Sequence, residues 1–111
     1  MIKRGEVYWV SFDPAVGGEM KKMRPAVIVS NDINNMNSTT VTVLPLTSAV
    51  QKIYPFEVMI KAGSCGNREA CKAKADQIRT VDKARLRKAM GFLPQFLMPE
   101  IDRAIRLHLS L

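Results

Sequence analysis

The stretch EMKKMRPAVIVSND, from Glu19 to Asp32, joins a charged segment to an apolar run. The residues from Ala26 to Val29 predict a buried strand, which the polar residues after it bring to an end. Arg24 stands at the entrance of that strand, directly before Pro25, whose ring restricts the backbone. A permanently charged guanidinium at the mouth of a core strand calls for a partner, either an acidic neighbour or an anionic ligand.

Further short strands are predicted on both sides of this stretch. They are EVYWVSF (6–12), TVTVLPLT (40–47), FEVMI (56–60) and one strand followed by a turn in CKAKADQIRTVD (71–82). The segment NDINNMNS is predicted to be a polar, turn-rich connection, and Pro45 is expected at a strand edge or bulge. Short strands joined by loops favour an antiparallel barrel, spanning about 4–93.

The C-terminal segment, about 95–110, is predicted to be one amphipathic helix packed on that barrel. Leu97, Ile101, Ile105 and Leu109 recur at steps of four, with charged residues between them. Either the helix begins near Pro99 or Pro99 bends a helix that starts at Pro94. The fold class is therefore mainly β with a C-terminal helix, and 1–111 forms a single domain.

The charge of the chain favours a polyanionic partner. Seventeen Lys and Arg stand against ten Asp and Glu, a net charge of +7. Nine basic and three acidic residues lie between positions 61 and 88, so this span carries most of the surplus. A merely solubilising face is the alternative interpretation. No secretory signal and no membrane-spanning run is visible, which predicts a cytoplasmic protein, and Cys65 and Cys71 are expected to be free thiols.

Several kinds of site are disfavoured by the residues that the chain lacks. His108 is the single histidine and lies in the apolar pattern of the helix, so packing or an interface is its predicted role. No metal-ligand spacing and no phosphate-binding glycine motif occurs. Polar residues at strand ends remain as candidates: Arg24, Thr47, Ser48, Asp76 and Gln77. An arginine fork and a hydroxyl at two strand rims can hold a phosphate, although each could also have a purely structural role.

Three motifs resemble the MazF/PemK (Kid) toxins of bacterial toxin–antitoxin systems. They are RGEVYWVSFDPAVGGEMKKMRPAVIVSND, then PLTS, then ADQIRTVDKARL, in that order along nearly the whole chain. The resemblance implies an SH3-like barrel, the MazF/PemK/CcdB-like toxin fold, with a C-terminal helix. It also implies a homodimer, and a sequence-selective endoribonuclease that uses no metal or other cofactor. Its substrate would be single-stranded mRNA, and its products a cyclic phosphate and a 5′-hydroxyl.

The resemblance also implies roles for individual residues. Arg24 would stabilise the phosphorane or donate a proton, and Thr47 would hydrogen-bond a phosphate oxygen. Glu19, in the loop between the first two strands, would act as base or close over RNA, and Asp76 matches an acidic position of the family. The implied RNA-binding residues are Lys21, Lys22, Ser48, Lys74, Gln77 and Arg79. The implied partner is an antitoxin whose acidic C-terminal tail crosses the basic groove.

The sequence departs from the PemK/Kid branch at two positions. That branch has a histidine at the position of Gly18 and an arginine at the position of Lys74. A mechanism built on that histidine and arginine is therefore doubtful here. Arg24 and Thr47, in contrast, are both present at the matching positions. Two other functions stay open: a gyrase-inhibiting toxin of the same fold, and a nucleic-acid-binding barrel without catalysis.

Overall fold

The structure is a computed structural model that describes residues 1–19 and 22–111. Its strands are β1 (Glu6–Ser11), β2 (Met23–Ile28), β3 (Thr40–Thr47), β4 (Glu57–Ile60), β5 (Cys71–Lys74), β6 (Arg79–Asp82) and β7 (Leu86–Phe92). Its helices are α1 (Asp32–Asn37) and α2 (Met98–Leu109). Short 3-10 turns occupy Ala75–Gln77, Lys83–Arg85 and Gln95–Leu97. The predicted β-rich body with a terminal helix is confirmed.

The strands form one antiparallel sheet that bends but does not close. Their order is β4-β5-β3-β2-β1-β7, and β6 is attached to β3 beside β5. Among the described residues, the outer strands β4 and β7 lie at opposite ends of this path without pairing. The predicted antiparallel fold is thus confirmed, with a strongly bent sheet whose ends stay unpaired in the described part of the chain. β4 has only four residues, and all of them, from Glu57 to Ile60, pair with β5.

Pro45 lies where β3 exchanges one neighbour for another. On one side Pro45 is opposite Ala26 of β2. On the other side β3 pairs with β6 as far as Val43 and with β5 from Leu46 onward. Proline lacks a backbone N–H, so it fits at this gap in the ladder. Pro45, which was expected at a strand edge or bulge, thus lies between the part of β3 that pairs with β6 and the part that pairs with β5.

Two apolar clusters cover the two faces of the sheet. Alternation along β2 sends Val27 into the larger cluster and Ala26 and Ile28 into the smaller one. The larger cluster includes Ile101 and Ala104 of α2, both fully buried. The helix therefore covers one face of the sheet, as its apolar periodicity predicts.

The start of the terminal helix is also settled. α2 begins at Met98, so Pro99 lies in its first turn, where a missing N–H costs no helical hydrogen bond. Pro94 precedes the separate 3-10 turn. The alternative that the helix begins near Pro99 is confirmed.

Three elements differ from the sequence prediction: α1, β6 and β7. The segment predicted as a loop contains α1, whose N-cap Asn31 accepts a hydrogen bond from Asn34 N. The segment that was expected to hold one strand and a turn holds β5 and β6, and β7 follows without a prediction. Within the described part of the chain, no helix is long and apolar enough to cross a membrane.

Candidate nucleic-acid site

Arg24 and Thr47 lie at the same end of two neighbouring strands. Ala26 of β2 is opposite Pro45 of β3, and the residues on either side follow the same antiparallel register. Continuing that register by two residues places Arg24 opposite Thr47. Both side chains therefore leave the same face of the sheet, as expected if guanidinium and hydroxyl share one ligand.

Arg24 and Thr47 line an open cleft of about 720 Å³, called here the Arg24 cleft. The half-buried Trp9 and the exposed Ser48 line the same space. Its other side is formed by the loop at Gly66–Glu69 and by Lys88, Ala89 and Met90 of β7. Arg24, Arg68 and Lys88 bring three positive charges to the lining, and Glu69 brings one negative charge. The cleft is thus suited to an anionic ligand.

The wall of this cleft is held by the buried side chain of Asn67. Its Oδ1 accepts from Cys65 N at 3.0 Å, and its Nδ2 donates to Lys61 O at 3.1 Å and to Glu69 O at 2.8 Å. Asn67 also lies between the two thiols, 3.4 Å from Cys65 Sγ and 3.6 Å from Cys71 Sγ. Both cysteines are buried free thiols, as predicted. This network gives the wall a defined shape and fixes the backbone that carries Arg68.

Glu19, Asp76, Gln77 and Arg79 meet in a second cleft of about 500 Å³, called here the Asp76 cleft. Arg79 lies over the Phe12 ring, with its Cζ 5.7 Å from the ring centroid. The Glu19 carboxylate accepts a hydrogen bond from Val16 N at 2.7 Å, which ties it to its own loop. The predicted site residues therefore divide between two clefts, with Arg24, Thr47 and Ser48 in the first.

Asp76 has one carboxylate oxygen with unused hydrogen-bonding capacity. Its Oδ1 is buried without a hydrogen-bond partner, the one such side-chain atom in residues 1–19 and 22–111. The Lys74 ammonium lies 3.8 Å from this oxygen, close enough for an ion pair but too far for a hydrogen bond. A buried acceptor of this kind at a cleft can take a hydrogen bond from a water molecule or from a ligand.

Lys74 and Lys72 both bind the carboxylate of Glu57, which is completely buried. The Glu57 Oε1 lies 2.9 Å from Lys72 Nζ, and its Oε2 lies 2.9 Å from Lys74 Nζ. Tyr54 N also donates to Oε1 at 2.8 Å. Burial by itself raises the pKa of Glu57, but the Tyr54 N–H and the two ammonium groups outweigh it and leave that pKa below its ordinary value.

Lys22 lies at the base of the loop between β1 and β2. Lys22 is exposed, with a left-handed backbone (φ 66°), and its N–H donates to Asp13 Oδ1 at 2.8 Å. Lys21 falls outside the described residues. The exposed His108 contacts Phe56, with ring centroids 6.2 Å apart, and it lines neither cleft. Across the described positions, no three His, Cys, Asp or Glu side chains gather as a metal site would require.

Three contributors to the site had not been singled out from the sequence. Arg68 and Lys88 line the Arg24 cleft, and Glu57 anchors the two lysines of β5. The excess of basic residues between positions 61 and 88 was the available signal for the first two. Glu57 gave none, because its partners are neighbours only across strands β4 and β5.

The chain matches proteins with a known family and fold. The profile of the family described as "PemK-like, MazF-like toxin of type II toxin-antitoxin system" covers residues 3–109. Endoribonuclease MazF9 of Mycobacterium tuberculosis is 41% identical over 116 residues, which cover 100% of this chain and 98% of that protein. Endoribonuclease EndoA of Bacillus subtilis is 36% identical over 112 residues, covering 100% and 97%. An endoribonuclease from Mycobacterial species, solved in complex with its cognate antitoxin, superposes with a TM-score of 0.82 at 24% identity and covers 100% and 97%.

Proposed function

Because the chain belongs to the PemK-like, MazF-like toxin family of type II toxin–antitoxin systems, we propose that it is an endoribonuclease that cleaves single-stranded mRNA. The observation that carries this proposal is that Arg24 and Thr47 together line a cleft rich in basic residues. Two relatives that align with the whole chain are endoribonucleases by name. Single-stranded RNA is the substrate because its bases and 2′-hydroxyls are accessible, unlike those in a duplex major groove.

The cleavage step takes its nucleophile from the substrate. The ribose 2′-oxygen attacks the adjacent phosphorus and gives up its proton to a base, while the bond from phosphorus to the 5′-oxygen breaks. That leaving oxygen receives a proton, so the products are a 2′,3′-cyclic phosphate and a 5′-hydroxyl. The protein then has to orient the phosphate, stabilise its charge and provide a path for protons.

Arg24 supplies the charge in this scheme, and Thr47 supplies a hydrogen bond to a phosphate oxygen. A guanidinium remains protonated at neutral pH, so electrostatic stabilisation of the phosphorane suits Arg24 better than proton abstraction. Among the carboxylates that line the two clefts, Glu19 and Asp76 are the candidates for the base. Asp76 has the free acceptor oxygen, whereas Glu19 belongs to the loop that would close over RNA.

The basic side chains around these residues would bind the flanking phosphates and bases. Ser48, Arg68 and Lys88 share the Arg24 cleft, and Gln77 and Arg79 share the Asp76 cleft. Lys22, at the base of the first loop, is exposed and adds positive charge. Lys21 remains a candidate from sequence alone.

Two partners are part of the proposal. The first is an antitoxin with an acidic tail, supported by the net charge of +7 and by the structural relative that is in complex with its cognate antitoxin. The second is another copy of the chain, because Leu107, Leu109 and Leu111 are exposed at the end of α2 and Phe92 and Phe96 lie exposed before it. We place the working complex in the cytoplasm, where mRNA is found.

Incubation of the purified protein with a defined RNA in excess EDTA tests the function. We expect discrete fragments with cyclic phosphate ends, and primer extension maps the cut. Arg24→Ala and Thr47→Ala should each abolish these fragments, while Thr80→Val, an exposed threonine on β6, should not. Intact RNA together with trapped gyrase complexes would favour the gyrase-inhibiting alternative. Salt-sensitive binding without scission would favour the non-catalytic one.

A further inference from the structure

The buried ion cluster on β4 and β5 connects the two clefts. The β5 residue Lys72 is paired with Thr47 in the sheet, so its backbone is next to the rim of the Arg24 cleft. Lys74 lies two residues further along, opposite Glu57, and its ammonium approaches Asp76 of the other cleft. Both ammonium groups bind the same carboxylate of Glu57. One buried acid thus fixes two cations: Lys74 beside Asp76, and Lys72 on the strand that flanks Thr47.

The stability of the fold does not explain such an arrangement. The side chain of Glu57 is 0% exposed and those of Lys72 and Lys74 are 8% and 19% exposed, so all three charges have lost much of their hydration. Replacement of a buried ion group by well-packed apolar side chains is often neutral or stabilising. What an apolar replacement would lose is a fixed electric charge near the cleft.

Glu57 alone does not balance the two ammonium groups, and the second carboxylate is that of Asp76. Two ammonium groups against the Glu57 carboxylate leave one positive charge, and the nearest further acid is Asp76 at 3.8 Å from Lys74. Each ammonium is held at 2.9 Å from its carboxylate oxygen, and Lys72 Nζ also donates to Lys52 O at 2.7 Å. The lysines are therefore ordered before any RNA arrives, which is the condition under which a charge stabilises a transition state most effectively.

We propose that Glu57 is a positioning residue for RNA cleavage: it fixes Lys74 against Asp76 of one cleft and, through Lys72, anchors the strand that flanks Thr47 of the other. Glu57 does not touch RNA, because it is completely buried. The proposal rests on the endoribonuclease function and adds to it a residue that acts through its two lysines. It also gives Lys74 a role that a lysine can fill without the planar fork of an arginine.

Three variants test the proposal in the EDTA cleavage assay, once the wild-type protein has been shown to cleave. Glu57→Gln keeps the size of the side chain and removes its charge. The triple variant Glu57→Leu, Lys72→Met, Lys74→Met replaces the cluster by apolar groups. The matched control is Arg4→Met with Asp102→Leu, which removes a partly buried ion pair that lies outside both clefts. Urea unfolding gives the folded fraction of each variant, and rates are expressed per folded molecule.

We expect Glu57→Gln and the triple variant to lose on the order of 10²-fold in kcat per folded molecule, with a much smaller change in KM. The control should keep the wild-type kcat even if its urea midpoint falls. Lys74→Arg, which keeps a charge for Glu57 to hold, should retain more activity than Lys74→Met. Wild-type kcat in folded Glu57→Gln or in the folded triple variant would overturn the proposal. So would a loss that merely follows the unfolded fraction. Absence of cleavage by the wild type would instead refute the proposed function itself.

Discussion

The replacement of Ile101 by alanine tests how α2 is attached to the sheet. Ile101 is 0% exposed and belongs to the larger apolar cluster together with Val27, Leu44 and Leu46. The change removes three carbon atoms, worth about 2.4 kcal/mol at roughly 0.8 kcal/mol per buried methylene group. The cavity that remains adds to this, so we expect a loss of about 3 to 4 kcal/mol in the free energy of unfolding.

Urea denaturation followed by circular dichroism measures this loss, and thermal unfolding should show a fall of roughly 12 to 16 °C in Tm. Ile105→Ala is the matched control, because it makes the same change one turn later at a half-buried position. Both substitutions alter helix propensity equally, so their difference isolates the packing. We expect the control to lose less than about 2 kcal/mol. Equal losses for the two variants would refute the packing of α2 described above.

Three further outcomes are expected from individual groups. Burial and the neighbouring thiol of Cys65 raise the pKa of Cys71 to about 11. A thiol reagent at pH 8 should therefore modify Cys71 far more slowly in the folded protein than in urea. Equal rates in the two conditions would contradict the burial of Cys71. The pKa of Glu57 is lowered by folding, so its stabilising contribution is complete above its ordinary value of 4.5 and disappears as the pH falls through the folded value. Urea midpoints between pH 7 and 3 should therefore fall less steeply in Glu57→Gln than in the wild type, and parallel curves would disprove this linkage. Gly91→Ala should destabilise the fold by more than 1 kcal/mol, because its Cβ would lie 2.5 Å from Cys65 O; an unchanged urea midpoint would show that the loop can move aside.

The residues that define the strands near Arg24 were predictable because their patterns are local. β1 and β3 follow alternating or apolar runs that end at a proline or a polar turn, and the predicted bounds agree to within a residue. β7 was missed because its sequence LRKAMGF exposes two adjacent cations and includes Gly91, whose backbone packs against the Cys65 carbonyl. The need for glycine at this position becomes visible only in the folded sheet, where a side chain would collide with Cys65 O. α1 was missed because a run rich in asparagine has weak helix propensity, and its caps hold it in place.

Site residues that belong to a motif on one strand could be predicted from the sequence. The way these residues come together could not, because it depends on packing between strands. Arg24 and Thr47 could be singled out separately, but their opposition depends on the register of β2 and β3. The division of the predicted residues into two clefts could not be predicted, since it depends on how the sheet bends. Spacing along the chain predicted an antiparallel barrel but leaves open whether the outermost strands meet, and among the described residues β4 and β7 do not pair.

The rigidity of the strand ends explains why the Arg24 guanidinium lies at the start of β2. The residues of β2 that follow Arg24 and Pro25 are buried on both faces, so the strand itself is held rigidly by the two apolar clusters. Neighbouring β3 is held in the same way and ends at Thr47, where burial also ends. A rigid pair of strand ends can present a guanidinium and a hydroxyl at a fixed separation, whereas the acidic residues of the second cleft come from a loop and a short 3-10 turn. If the phosphate binds at the strand ends, the parts of the site that must move are the ones that carry Glu19 and Asp76, and the buried Glu57 cluster limits how far Asp76 can move.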